Sequence, residues 1–399
     1  MKTNTHTKIF KSVCESNVHR PLPITLCLVL CTLVLVLSVN AGGTTPTIIT
    51  FDAPGAGTAA GQGTIAFCLN PSGAIAGFTR DANNARHGFL RAPDGTFTII
   101  DDPAAGTCST NCGAIGNGQG TRAYAINPSG VITGFFTDNS ARCHGFLRAP
   151  DGTFTQIDAP DAGAGPFPQG TFPSEITPMG INPAGAVTGF YVDANSVQHG
   201  FVRAPGGQIT EFDPTGSIFS NPNAIDQVGD ITGFYFDATT AVHGFLRDKK
   251  GVVTSFDILG GGTGLNQGTY AGGFTSNGGI MGVLIDANTV NHGFLLDKHG
   301  AVTTFDAPHA GTGFDQGTLP WGINTNGSIT GWYVDNANVH HGFVRDRHGA
   351  LTEFDVPGAG TGLFQGTTVY NIAPNGAVAG YYLDSNNTFH GFVREQAGH

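Results

Sequence analysis

The sequence predicts an all-β fold: a seven-bladed β-propeller of four-stranded antiparallel blades, closed by an N-terminal strand that completes the last blade. Three observations predict it. The tripeptide His-Gly-Phe occurs seven times, at His87, His144, His199, His243, His292, His341 and His390. Around every copy the spacing is invariant, with a Gly fourteen residues before the His (Gly73, Gly130, Gly185, Gly229, Gly278, Gly327, Gly376) and an Asp six before it (Asp81, Asp138, Asp193, Asp237, Asp286, Asp335, Asp384). The two ends are complementary: the last repeat lacks the Phe-Asp strand of the others, while Thr47-Ile-Ile-Thr-Phe-Asp52 stands alone before the first. A period of about 50 residues with strand-like content describes units that bury their apolar faces only against neighbours.

The sixth repeat shows how each element is read. Leu319–Asn324 forms the innermost strand and Thr325-Asn-Gly327 a turn. Ser328–Asp335 forms the second strand with the start of the next loop, and His341–Arg345 the third. Asp346-Arg-His-Gly349 then turns the chain into Ala350–Asp355, the outer strand. Gly, Asn and Asp at the bends are the residues that tolerate turn conformations. Composition agrees, since 61 of 399 residues are Gly and only 12% are charged, as short strands and tight turns require.

Residues 1–41 differ in kind. Lys2, Lys8, Lys11 and Arg20 precede an apolar run from Ile24 to Ser38, and Val39-Asn40-Ala41 offers small residues for a signal peptidase. The segment reads as a secretion signal peptide; its long basic leader leaves an uncleaved N-terminal anchor as the alternative, although the apolar run is short for a spanning helix. Residues 42–399 then form the single propeller domain of an exported protein, secreted or periplasmic, with no stable membrane span once the signal is cleaved. Four of the 18 cations and one of the 29 carboxylates lie in the leader, so the remainder carries 14 against 28, a net charge of −14. No run of Lys and Arg follows Gly42, which excludes the basic footprint of a nucleic-acid binder. Cys68, Cys108, Cys112 and Cys143 read first as disulfides in an exported chain, with zinc the weaker alternative because Cys108 and Cys112 lack a second ligand pair. No metal and no cofactor is expected.

Ile126-Asn127, Ile181-Asn182 and Ile323-Asn324, then Thr133-Gly134, Thr188-Gly189 and Thr330-Gly331, then the His-Gly-Phe copies form one recurring pattern. It resembles the extracellular HAF repeat family, named for a His-Ala-Phe tripeptide, over essentially all of the chain after residue 41. Gly replaces the family's Ala throughout. The resemblance implies export and a repeat fold, and it brings no activity with it.

The repeated Asp and His face each other across one hairpin at about 5 Å in strand spacing, which predicts a structural hydrogen bond rather than seven catalytic dyads. The Gly of the second strand (Gly77 and its counterparts) is expected to allow close blade packing. Length variation is confined to the connection after the Phe-Asp strand. Asp to the Gln of Gln-Gly-Thr spans ten residues in four cases, eighteen from Asp101 to Gln119 and eleven from Asp158 to Gln169, and the fourth repeat has no Gln-Gly-Thr. The candidate binding face is therefore the one carrying Asp102–Gly120, Ala159–Met179 and Pro214–Asn223, with Cys108, Cys112, Asp161, Glu175 and Asp315 as candidate binding residues and Tyr124 as a further unrepeated one. The function expected is a binding or scaffolding module for envelope carbohydrate or protein. The alternative is a propeller enzyme, such as a polysaccharide lyase or hydrolase, with one site on that face. No catalytic residue is assigned, since no nucleophile elbow, phosphate loop or zinc-protease motif is present.

Overall fold

The computed structural model describes residues 46–107, 118–173 and 180–396. These residues form strands and turns, with no helix among them, in one 28-stranded sheet that closes on itself as a propeller-like ring. The leader, Cys108, Cys112 and Glu175 lie outside the described residues.

Each repeat builds antiparallel strands in sequence order. In the sixth, Gly317–Ile323 pairs with Ile329–Val334, that strand with His340–Arg345, and the last with Leu351–Phe354. In the seventh the outer partner comes from the other end of the chain, where Ile48–Phe51 pairs with Gly391–Arg394 of the third strand. The complementary ends read from the sequence thus meet as a seam.

Adjacent repeats are stitched by one parallel bridge each, from the first residue of an inner strand to the residue before the preceding repeat's motif His. The bridges Gly63 to Phe389, Gly120 to Arg86, Gly170 to Cys143, Phe219 to Gln198, Gly268 to Val242, Gly317 to Asn291 and Gly366 to His340 run fully around the ring. This explains Gln-Gly-Thr. At Gly366 φ is +110° and an added Cβ would sit 2.1 Å from the His340 carbonyl oxygen, so only glycine fits. The Thr hydroxyl accepts the N–H that opens the preceding connection, as Thr367 does from Val356 at 3.0 Å. The Gln amide ties that connection to the next hairpin, as Gln365 does to Asn387 at 3.0 Å. The fourth repeat places Phe219 where the others place Gly.

The core is one fully buried ring per repeat: Phe89, Phe146, Phe201, Phe245, Phe294, Phe343 and Phe392, the Phe of every His-Gly-Phe. Truncating any one to Ala would cost about 3–5 kcal/mol. The repeated Arg clasps neighbours together. Arg91, Arg247, Arg345 and Arg394 each stack at 4.7–4.9 Å over the Phe of the preceding repeat's outer strand, namely Phe51, Phe212, Phe305 and Phe354.

Two expectations are corrected. The motif His bonds not to the Asp six residues before it but to the one fourteen after it. His Nδ1 lies 2.6–3.0 Å from Asp101, Asp158, Asp213, Asp257, Asp306, Asp355 and Asp52 in the seven repeats, whereas Nε2 to the nearer Asp is 3.5–3.9 Å. Register is the reason: the residue opposite the His is eight before it, for instance Tyr191 opposite His199, on which the imidazole stacks at 5.1 Å. The nearer Asp opens the turn and caps it instead, Asp193 Oδ1 accepting from the N–H groups of Asn195 and Val197. The second correction concerns the strand-two Gly, which serves its own repeat. A Cβ on Gly77 would collide with the Ile65 carbonyl oxygen at 2.3 Å and the Phe89 ring at 2.6 Å.

Cys68 and Cys143 sit in separate core clusters and are not bonded to each other. Cys68 Sγ lies 3.7 Å from the Ile126 carbonyl oxygen, and burial pushes its thiol up to about 12. A pairing with Cys108 or Cys112 falls outside the described residues.

Candidate functional site

The inner strands carry a β-bulge at one register, five residues after the Gln position. Bulges fall at Phe67, Tyr124, Asn223, Gly272, Trp321 and Tyr370. Four of these are aromatic and form a continuous arc. Ring centroids are 4.7 Å apart for Phe67 with Tyr124, 4.7 Å for Phe67 with Tyr370, and 6.0 Å for Trp321 with Tyr370. Asn223 and Gly272 carry no ring at this register, and both line a cavity of about 400 Å³.

Aromatic faces wall this cavity. Tyr270 packs on Phe234 at 4.7 Å on one side, Trp321 backed by Trp332 at 5.2 Å forms the other, and Phe314 stands 77% exposed at the mouth. Polar groups punctuate the rim: Asn266, Thr289, Asn291 and Asp315. The Asn291 amide donates to the Gln316 carbonyl at 3.0 Å, which fixes its side chain. The Tyr270 hydroxyl donates to the Asn266 carbonyl at 3.2 Å. Burial first, and the nearby Asp315 charge second, hold that hydroxyl well above the usual phenol range, so it stays a neutral donor. Asp315 takes a left-handed φ of +60° and donates its N–H to the Thr289 carbonyl, leaving an exposed carboxylate beside the opening. No Lys, Arg or His is among the lining residues.

Of the residues singled out from sequence, Asp315 lines this cavity and Asp161 does not. The Asp161 N–H donates to Glu211 Oε1 at 3.1 Å on an outer strand. Tyr124 belongs to the aromatic arc and is buried. The shortened Pro214–Asn223 segment does reach the cavity, through Asn223. Sequence reasoning passed over Trp321, Tyr270, Asn291 and Gly272. The signal was available in the comparison of bulge residues across repeats, where Gly272 and Asn223 replace rings.

No protein-family model and no curated protein sequence matches the chain. Solved structures do. A prolyl endopeptidase structure superposes with a TM-score of 0.52 at 8% identity, over 89% of this chain and 50% of that one. A puromycin hydrolase gives 0.49 at 12% identity, over 84% and 50%. TolB from Acinetobacter baumannii gives 0.44 at 12% identity, over 82% and 65%. This chain therefore spans half of the first two and under two thirds of the third. These are propeller proteins, and the likeness is one of fold.

Proposed function

We propose that the chain is an exported seven-bladed propeller of four-stranded blades, of the HAF type, that binds a saccharide in the cavity beside Gly272. The observation that carries the reading is the composition of that cavity. Flat aromatic faces suit the C–H faces of a sugar ring, and fixed amide, hydroxyl and carboxylate groups at the rim match its hydroxyls. The absence of a lining cation among the described residues favours a neutral or amino sugar over a uronic acid. Asp315 is the one lining carboxylate, whereas glycoside hydrolysis ordinarily uses a pair, which supports binding rather than turnover. The seven-blade count is supported by the seven parallel stitches and by the seam strand.

Both tryptophans of the chain, Trp321 and Trp332, belong to this site, so intrinsic fluorescence reports on it alone. A saccharide that binds shifts the emission with saturation. Gly272→Tyr fills the gap with the residue that the second and seventh repeats already carry at this register, and an added Cβ there meets nothing closer than 3.6 Å. The variant is expected to keep its melting temperature and lose the response. An unresponsive wild type across neutral and amino oligosaccharides, or an undiminished response in the variant, would overturn the reading.

A further inference from the structure

Two grooves on the molecule follow one plan and share no residue with the saccharide cavity. One, of about 250 Å³, lies at the junction of the seventh and first repeats, and the other, of about 360 Å³, at the junction of the third and fourth. Aligning the repeats on the motif His brings their walls into coincidence. Arg91 of one falls on Arg247 of the other, Gly73 on Gly229, Leu69 on Ile225 and Val393 on Val202. Each groove therefore sets aliphatic side chains from two repeats beside one guanidinium.

The guanidinium is the unusual part. Arg91 and Arg247 are each 9% exposed. Each lays its flat face over a ring, Phe51 for Arg91 and Phe212 for Arg247. Of the five N–H donors around its edge, one forms a hydrogen bond among the described residues, and a long one. Nη1 donates to the Ala92 carbonyl in the first case and to the Asp248 carbonyl in the second, both at 3.4 Å, while each Nε is buried with no partner. Buried donors are ordinarily satisfied, so an acceptor held in the groove would complete these edges. The fold does not demand the residue, since the fifth repeat carries Leu296 at the same position.

We infer that the two grooves are binding sites for a sugar residue bearing an acetamido group. The charge around them decides against an ionic ligand, because the first groove has Glu395 where the second has Ala204, and the second has Lys249 where the first has Pro93. What they share is a donor edge beside aliphatic side chains. An acetamido group carries both complements, a carbonyl oxygen to accept from the Nη hydrogens and a methyl group to lie on Val393 or Val202. Exposed amides, Gln396 in one groove and Gln208 in the other, stand beside it for the ring hydroxyls. The volumes sit at the small end of ligand pockets and suit a single sugar ring. Two such grooves make the chain multivalent, so its grip on a surface displaying many copies of the sugar exceeds that of either groove alone. The inference does not depend on the cavity beside Gly272.

The test is isothermal titration calorimetry of the full chain carrying Gly272→Tyr, which blocks the saccharide cavity, with N-acetylglucosamine as the probe and glucose as its counterpart without the acetamido group. Two equivalents of N-acetylglucosamine are expected, with glucose about tenfold weaker for the loss of one hydrogen bond and one methyl contact. Arg91→Leu and Arg247→Leu install the fifth repeat's residue, and each is expected to remove one equivalent. Ala204→Trp fills only the groove between the third and fourth repeats, leaves both arginines in place and should also remove one. That third variant separates occupation of the groove from any loss of packing in the arginine variants, which their melting temperatures report. No saturable heat, equal affinity for glucose, or two equivalents retained in Ala204→Trp would overturn the inference. Failure here leaves the tryptophan response of the parent protein unchanged, and failure of that response leaves this count unchanged, so the two readings fall separately.

Discussion

The imidazole Nδ1 of His390 lies 3.0 Å from both carboxylate oxygens of Asp52, a partner 338 residues earlier in the chain. The same contact closes locally in the six other repeats, so at the seam a local hairpin bond has become a long-range one. Around it Phe51 packs against Phe89 and Phe97 of the first repeat, at 6.4 and 5.9 Å, with Arg91 stacked over its ring.

Phe51→Ala is expected to destabilise the ring by about 2–4 kcal/mol, because it removes an aromatic ring shared by two repeats. Asp52→Asn should cost no more than about 1 kcal/mol, since that carboxylate is half exposed. Urea unfolding of the two variants measures the difference; equal losses would mean that the seam is held by charge and not by packing.

Glycine substitutions should separate just as sharply. Gly366→Ala forces a Cβ against the His340 carbonyl at positive φ, and a loss above about 2 kcal/mol is expected. Gly272→Ala makes only ordinary van der Waals contacts, the nearest at 3.6 Å, and should lie within about 1 kcal/mol of the parent. Thermal melts of both variants decide it, and a neutral Gly366→Ala would contradict the inter-repeat stitch.

Stability should peak on the acidic side of neutrality. Hydrogen bonds to Asp101 and Asp355 raise His87 and His341 above the ordinary 6.5, against opposing burial. Such groups stabilise the fold fully below the unfolded value and lose that contribution as pH rises through the folded one. His340 works in the opposite sense, lowered first by burial, so its contribution is lost as pH falls. Asp94, Asp193 and Asp346 are lowered by backbone N–H bonds from Thr96, Val197 and Ala350, and their contribution disappears as pH falls below about 4. The melting temperature is expected to be greatest between about pH 4 and 6.5, and His341→Gln should flatten the decline above it. A profile rising steadily to pH 8 would mean that His340 outweighs the pair.

Asp315→Asn should weaken binding of an amino sugar to the Gly272 cavity about tenfold and leave a neutral sugar within about threefold, because only the former exchanges a charge-assisted bond for a neutral one. Titration followed by tryptophan emission reads both. Equal losses would make Asp315 a hydrogen-bond acceptor without charge selectivity.

Most of the architecture was legible because it rests on local chemistry. Fixed spacing around His-Gly-Phe and the stray Thr47–Asp52 strand specify repeats and a seam, and the observed pairings follow them. The His partner is not the Asp nearest in sequence because strand register decides which groups meet, although the constant separation of fourteen residues is visible in the sequence. The cavity escaped notice for a related reason. Its defining event is the loss of a ring at Gly272 and Asn223, and the fourth repeat lacks the Gln-Gly-Thr that would have aligned Asn223 with the others.

The seam strand also governs when the molecule can exist. Among the described strands Ile48–Phe51 comes first and its partner Phe389–Arg394 last, so a chain that has not yet reached Phe389 carries an unmatched edge. Until the final strand arrives, that edge is a template for any other copy in the same condition. Two incomplete chains lending each other a first strand would form a swapped pair with the same contacts as the closed ring, and dilution during refolding selects the monomer.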